Sequence, residues 1–199
     1  MFFVYIIMKG WIEITSQEEH LIIVRILSGY HNDYEILVRR YQGAIFNLML
    51  RMTDSKDTAA DLAQETFVRG FENLSRFNQE KLFFPWLYTI GLNIARDHCR
   101  KNSRENANTS SINLIGQDQL SSPGSDVQAR KNLRGDFINQ AMDQLPWESR
   151  EALIMRFREE FTYQEIAEVL NITLSSAKMK VHRGLKKIRA IFGEEEKYL

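Results

Sequence analysis

The C-terminal part of the 199-residue chain contains a run of basic residues suited to binding phosphates. Between Asn171 and Phe192 there are six lysine or arginine residues and no acid, whereas residues 136–170 contain eight acids and three bases. Because the exposed face of an ordinary amphipathic helix mixes both signs of charge, an acid-free run indicates phosphate neutralisation. A solvated charged helix is the alternative interpretation from Lys186 onward.

The sequence around this run predicts two helices joined by a tight turn. Thr162 and Glu165 have the spacing of a capping box, so a short helix begins there. Asn171 tolerates the left-handed conformation common at helix C-termini, and Thr173 or Ser175 can cap the second helix. This is the layout of a helix-turn-helix, whose second helix enters the DNA major groove.

The second helix separates into a buried and an exposed face at helical spacing. The predicted buried stripe consists of Ala177, Val181, Leu185 and Ile188. The predicted contacts with base edges are Lys178, Met179 and His182. The predicted contacts with phosphates are Ser175, Ser176, Lys180, Arg183 and Lys186.

Composition indicates a soluble, all-helical protein, and no motif in the sequence supports an enzyme. The net charge is zero, 44% of residues are hydrophobic and 26% are charged, which is ordinary for globular proteins. There are only three prolines and ten glycines, and no convincing run of alternating apolar residues, which together argue for an all-helical protein. The single cysteine, Cys99, excludes an internal disulfide and suits a reducing cytoplasm. We find no glycine-rich phosphate loop, metal-ligand cluster or nucleophile motif, and predict neither cofactor nor metal.

The first eight residues, M-F-F-V-Y-I-I-M, are nearly all apolar. The run is too short to span a bilayer and lacks the leader and cleavage site of a signal peptide. We interpret it either as preceding a true translation start at Met8 or as an unstructured tail.

Two further helices carry polar faces that can bind partners. The first has a predicted inward stripe made of Ala59, Leu62, Ala63, Thr66, Phe67, Gly70, Phe71 and Leu74. Its outward patch, spaced i, i+3, i+4, i+7, consists of Asp61, Gln64, Glu65 and Val68. On pattern alone this patch is a solvated helix face.

The second of these helices begins near Pro85 after a stretch rich in aromatic residues. Its outer face consists of Asn93, Arg96, Asp97, Arg100 and Lys101. Aromatic residues beside a basic helix can stack on unpaired bases, but packing in the core is the simpler interpretation, which we adopt for Phe67, Phe71 and Trp86. Residues 102–130 then turn polar and predict a flexible linker.

Three motifs in order resemble the bacterial RNA polymerase sigma factors of the extracytoplasmic-function group. They are D-L-A-Q-E-T-F at 61–67, P-W-L-Y-x-I-x-x-N-x-x-x-D-x-x-R-K at 85–101, and the terminal helix-turn-helix. The resemblance covers residues 18–192 and implies two helical domains. We predict a tail at 1–17, a region 2 domain at 18–101, a linker at 102–132, a region 4 domain at 133–192 and a second tail at 193–199.

The resemblance also implies partners. The patch at Asp61, Gln64, Glu65 and Val68 would dock on the β′ clamp helices of core RNA polymerase, where carboxylates suit arginines. The face at Asn93, Arg96, Asp97, Arg100 and Lys101 would bind the minus-ten promoter element, where a base is flipped from the stack. The helix-turn-helix would bind the minus-thirty-five element. Further implied partners are the β subunit and a membrane-linked anti-sigma factor, with no small-molecule substrate.

Two departures and two alternatives stay open at this point. Asn171 stands where the family more often has glycine, and Thr173–Ala177 departs from its usual pattern, which affects the exact minus-thirty-five sequence. A stand-alone helix-turn-helix regulator with a sensing or dimerising N-terminal domain is the main alternative; it would bind duplex DNA without polymerase. A helical adaptor that binds only proteins is the second, against which the acid-free helix argues.

Overall fold

The computed structural model describes residues 15–53, 55–107, 141–142 and 144–195, and every regular element in those ranges is helical. The chain divides into two compact units, Met1–Gly116 and Gln117–Leu199, each described by itself. The predicted all-α class with two helical modules is confirmed. None of the helices formed by the described residues has the length and apolarity needed to cross a membrane. The apolar N-terminal run, most of the predicted linker and the last four residues lie outside the described ranges.

The described residues of the first unit form four α-helices and two short 3-10 turns. Their bounds are α1 Ser16–Leu27, α2 Tyr34–Leu50, α3 Lys56–Glu72 and α4 Phe83–Ala107, with 3-10 turns at His31–Asp33 and Leu74–Arg76. Thr15 and Glu18 form a capping box that begins α1, and Ser55 caps α3 through the backbone N–H of Thr58. Helix α4 runs six residues past the predicted end of its domain at 101.

Helices α2, α3 and α4 meet closely at Gly70. A Cβ atom at this position would lie 2.8 Å from Leu87 Cδ1 and 2.9 Å from Tyr34 Oη. Glycine therefore permits the close approach of three helices, and the predicted inward stripe of α3 is buried apart from one residue. That residue is Phe71, which is 37% exposed because it lies at the open side of this junction, against His31 and Tyr34.

Tyr34 makes the stability of the first unit sensitive to alkaline pH. Its hydroxyl donates to the Phe67 carbonyl at 2.8 Å, and burial raises the pKa of Tyr34 above its ordinary value near 10. Because the unfolded chain then releases a proton that the folded chain keeps, this stabilisation is complete below about pH 10 and is lost as the pH rises further.

We therefore expect Tyr34→Phe to cost about 1 kcal/mol at neutral pH through the lost hydrogen bond. Above about pH 10 it should flatten the decline in stability by about 1.4 kcal/mol per pH unit. Denaturant titrations of both proteins from pH 8 to pH 11 check this. Two parallel curves of stability against pH would contradict it.

The second unit contains the predicted helix-turn-helix. Among its described residues are the helices α5 Trp147–Phe157, α6 Tyr163–Leu170 and α7 Leu174–Glu195. The capping box of Thr162 and Glu165 is present, and Asn171 adopts the left-handed conformation with φ of 54°. Of the two candidate caps for α7, Thr173 accepts the backbone N–H of Ser176 at 3.2 Å. In the predicted stripe Ala177 and Val181 are buried, whereas Leu185 and Ile188 are half-buried.

Candidate functional site

Helix α7 presents an exposed polar face with the composition that DNA contact requires. The exposed side chains include all three predicted base contacts, Lys178, Met179 and His182, and Met179 is 49% exposed although it is apolar. Four of the five predicted phosphate contacts lie at or beside this face: Ser175, Arg183 and Lys186 are exposed and Ser176 is half-buried. Their placement suits contact with DNA, and the contacts themselves stay predictions.

Lys180, the fifth predicted phosphate contact, lies differently. Its ammonium group is bonded to the Glu148 carboxylate at the start of α5, and the Lys180 side chain is only 24% exposed. Lys187 similarly donates to the backbone carbonyl of Gln144 at 2.5 Å. Two of the basic residues of α7 are therefore engaged within the protein. The acid-rich sequence before the basic helix was the available signal that some of these lysines pair within the protein, but it does not identify Glu148 as the partner of Lys180.

On the first unit, the predicted patch of α3 combines charge with an apolar groove. Asp61, Gln64 and Val68 are exposed and Glu65 is half-buried. Gln64 and Val68 also line a groove of about 1340 Å³ between α2 and α3, whose apolar walls the sequence did not reveal. These walls include Tyr34, Val38, Phe46, Phe67 and Phe71.

The two carboxylates of this patch differ in their surroundings. Glu65 forms an ion pair with Arg69, one turn later on α3, with 2.5 Å between Glu65 Oε1 and Arg69 Nη2. Among the residues that the structure describes, no ion pair involves Asp61. Asp61 therefore has the carboxylate that is more readily available to a partner.

The predicted outer face of α4 is exposed at Asn93, Asp97, Arg100 and Lys101 and half-buried at Arg96. Arg100 Nη1 lies 3.6 Å from Asp97 Oδ1, and both side chains are largely exposed. Because such an exposed ion pair contributes little free energy, a phosphate can replace Asp97 as the partner of Arg100.

The aromatic residues before this face pack mainly against one another. Phe77, Phe83 and Trp86 form one cluster with ring centroids 5.1–5.8 Å apart. Phe84 stacks on Tyr41 with centroids 4.5 Å apart and an interplanar angle of 7°. Phe77 and Phe83 are buried, whereas Phe84 and Trp86 are half-buried. Packing thus accounts for most of the aromatic cluster, and Trp86 keeps part of its surface accessible.

Comparison with known proteins assigns both units. Residues 37–105 match the family model for sigma-70 region 2, and residues 138–188 match that for sigma-70 region 4. The extracytoplasmic-function sigma factor SigM of Bacillus subtilis is 30% identical over 159 residues, which cover 78% of this chain and 93% of SigM. The chain belongs to the extracytoplasmic-function group of the sigma-70 family. The region 2 match removes the basis for a sensing domain, so the protein is a sigma subunit of RNA polymerase.

One further relative and one solved structure are also similar to this chain. The sigma factor is 26% identical to the RNA polymerase sigma-H factor of Pseudomonas aeruginosa over 184 residues, covering 88% of this chain and 94% of that protein. Its fold is similar to that of the sigma factor RpoE of Bartonella quintana, solved in complex with the anti-sigma factor NepR. That match has a TM-score of 0.65 at 21% identity and covers 81% of this chain and 97% of the other.

Proposed function

We propose that the sigma factor reads promoters with two separate surfaces while a third binds core polymerase. The exposed face of α7, which has no acid before Glu194, is the observation that supports this most directly, since it lies on the second helix of a helix-turn-helix. There Lys178, Met179 and His182 contact base edges of the minus-thirty-five element, and Arg183 and Lys186 contact its phosphates.

The surface of α3 binds the β′ clamp helices of core polymerase. A helix that offers an arginine and an apolar side chain on one face fits both parts of this surface. The arginine pairs with Asp61 in a charge-assisted hydrogen bond, and the apolar side chain enters the groove beside Val68. Glu65 contributes less, because it must first give up Arg69.

The outer face of α4 binds the minus-ten element. Asn93, Arg100 and Lys101 offer hydrogen bonds and positive charge to the strand, and the accessible part of Trp86 offers an aromatic surface nearby in sequence. Base flipping costs a few kcal/mol of unstacking, which phosphate contacts and stacking can offset.

The sigma factor acts in the cytoplasm and has no catalytic activity of its own, because nucleotide addition belongs to the core enzyme. An anti-sigma factor, linked to the membrane, holds it inactive until a signal arrives. RpoE of Bartonella quintana, which was solved in complex with the anti-sigma factor NepR, is the precedent for a partner of this class.

Reconstituted run-off transcription tests the proposal. We expect a promoter-specific transcript from core polymerase with the sigma factor and none from either component alone. We also expect no specific binding of duplex promoter DNA by the sigma factor alone in a mobility-shift experiment. Specific duplex binding without polymerase, combined with no transcript from the mixture, would favour a stand-alone regulator and overturn the proposal.

A further inference from the structure

The contact between α7 and α5 is unusually close at one glycine. Gly184 is buried, and a Cβ atom there would lie 2.8 Å from Leu153 Cδ1 and 3.1 Å from Leu153 Cγ. Leu153 is itself buried at 3% exposure, so it has little room to move aside. Gly184 thus sets the distance between the two helices, and the buried Ala177 and Val181 set the approximate rotation of α7 about its axis.

Two lysines on the same side of α7 supply a restraint on this rotation. Lys180 and Lys187 are seven residues apart, about two helical turns, and so lie on the same edge of the helix. Lys180 is bonded to the Glu148 carboxylate, and Lys187 donates to the Gln144 carbonyl at 2.5 Å. Both partners belong to the segment at the start of α5, so α7 is held on either side of Gly184.

We propose that Lys180 and Glu148 are positioning residues, which together with Lys187 fix the rotation of α7 so that Lys178, Met179 and His182 face the base edges. The inference rests on the proposed function of α7. Each residue advances about 100° around a helix, so a modest rotation carries a base contact outside hydrogen-bonding distance. Lys180 then orients α7 by bonding to Glu148, and the phosphates are contacted by Arg183 and Lys186.

The test measures promoter binding by the reconstituted holoenzyme across single-base minus-thirty-five variants at several salt concentrations. The variants are Lys180→Gln, Glu148→Gln and the charge-swapped double variant Glu148→Lys with Lys180→Glu. Lys186→Gln is the matched control, because Lys186 is exposed and outside this contact. Thermal unfolding of each variant shows that it is folded.

We expect Lys180→Gln and Glu148→Gln to weaken binding to the preferred element by similar factors, about two- to fivefold for a partly exposed ion pair. Discrimination among the single-base variants should decrease in both, whereas the salt dependence should not change. The charge-swapped variant should recover most of the discrimination. Lys186→Gln should instead keep the discrimination and lower the salt slope by about 0.9, the value for one phosphate.

A different pattern overturns the inference. If Lys180 contacts a phosphate, Lys180→Gln lowers the salt slope, Glu148→Gln leaves binding unchanged or tighter, and the charge-swapped variant binds worst of all. If the proposed function of α7 fails instead, Lys186→Gln and substitutions of Lys178 and Arg183 also leave promoter binding unchanged. The two failures are therefore distinguishable.

Discussion

Replacing Asp61 by alanine should lower the affinity of the sigma factor for core polymerase about tenfold to 150-fold. A hydrogen bond to a charged group contributes about 1.5–3 kcal/mol, and Asp61 has no ion-pair partner among the described residues that it would have to lose on binding. Glu65→Ala should have a smaller effect, because the Glu65 carboxylate is already paired with Arg69 at 2.5 Å. A fluorescence titration of labelled sigma factor with core polymerase measures both.

Glu80→Ala is the matched control, since it removes an exposed carboxylate from the segment between α3 and α4. It should leave the affinity within about twofold, as expected for a surface charge outside an interface. Unchanged affinity in Asp61→Ala, with the helical circular dichroism intact, would exclude the α3 patch as the core-binding surface. A larger loss in Glu65→Ala than in Asp61→Ala would show that Arg69 does not compete with the partner.

Lys178→Ala and Arg183→Ala should separate sequence recognition from phosphate binding on α7. Loss of a good base contact costs about 1–3 kcal/mol, so Lys178→Ala should reduce transcription by about fivefold to 150-fold on the preferred element and much less on variants of the contacted base. Arg183→Ala should weaken all variants similarly and lower the salt slope by about 0.9. Run-off transcription from a panel of single-base variants at two salt concentrations measures these effects.

Equal losses across the panel for Lys178→Ala, or promoter-selective losses for Arg183→Ala, would show that α7 lies in the groove with a different rotation. In that case the base contacts would have to be reassigned around the helix, beginning with Met179 and His182. Thermal unfolding should be nearly unchanged in both variants, because both side chains are exposed.

The helix-turn-helix could be predicted from sequence because its signals are local. The Thr162 and Glu165 capping box joins residues three positions apart, and the left-handed turn needs only the conformational tolerance of Asn171. The buried face of α7 follows from helical spacing for Ala177 and Val181. Such features depend on neighbours along the chain, which the sequence states directly.

Features that depend on packing between helices could not be predicted in this way. The partner of Lys180 is 32 positions earlier in the chain, and a lysine beside a basic face gives no sign that it is already bonded. The groove beside Val68 needs both α2 and α3 in place. Phe71 matches the inward period of α3, yet it is 37% exposed because the neighbouring helices leave that side open.

The exposure of the α7 face that is proposed to contact base edges has a consequence for the evolution of promoter preference. Lys178, Met179 and His182 project away from the core, so replacing them should change the free energy of unfolding by no more than about 0.5 kcal/mol. Gly184 and Val181, on the other face, have no such freedom, because their neighbours are close-packed. Promoter preference can therefore drift, or be re-engineered, through α7 without first acquiring compensating stabilisation elsewhere. A gene duplicate of this sigma factor could acquire a different set of promoters through a few surface substitutions while keeping the same scaffold.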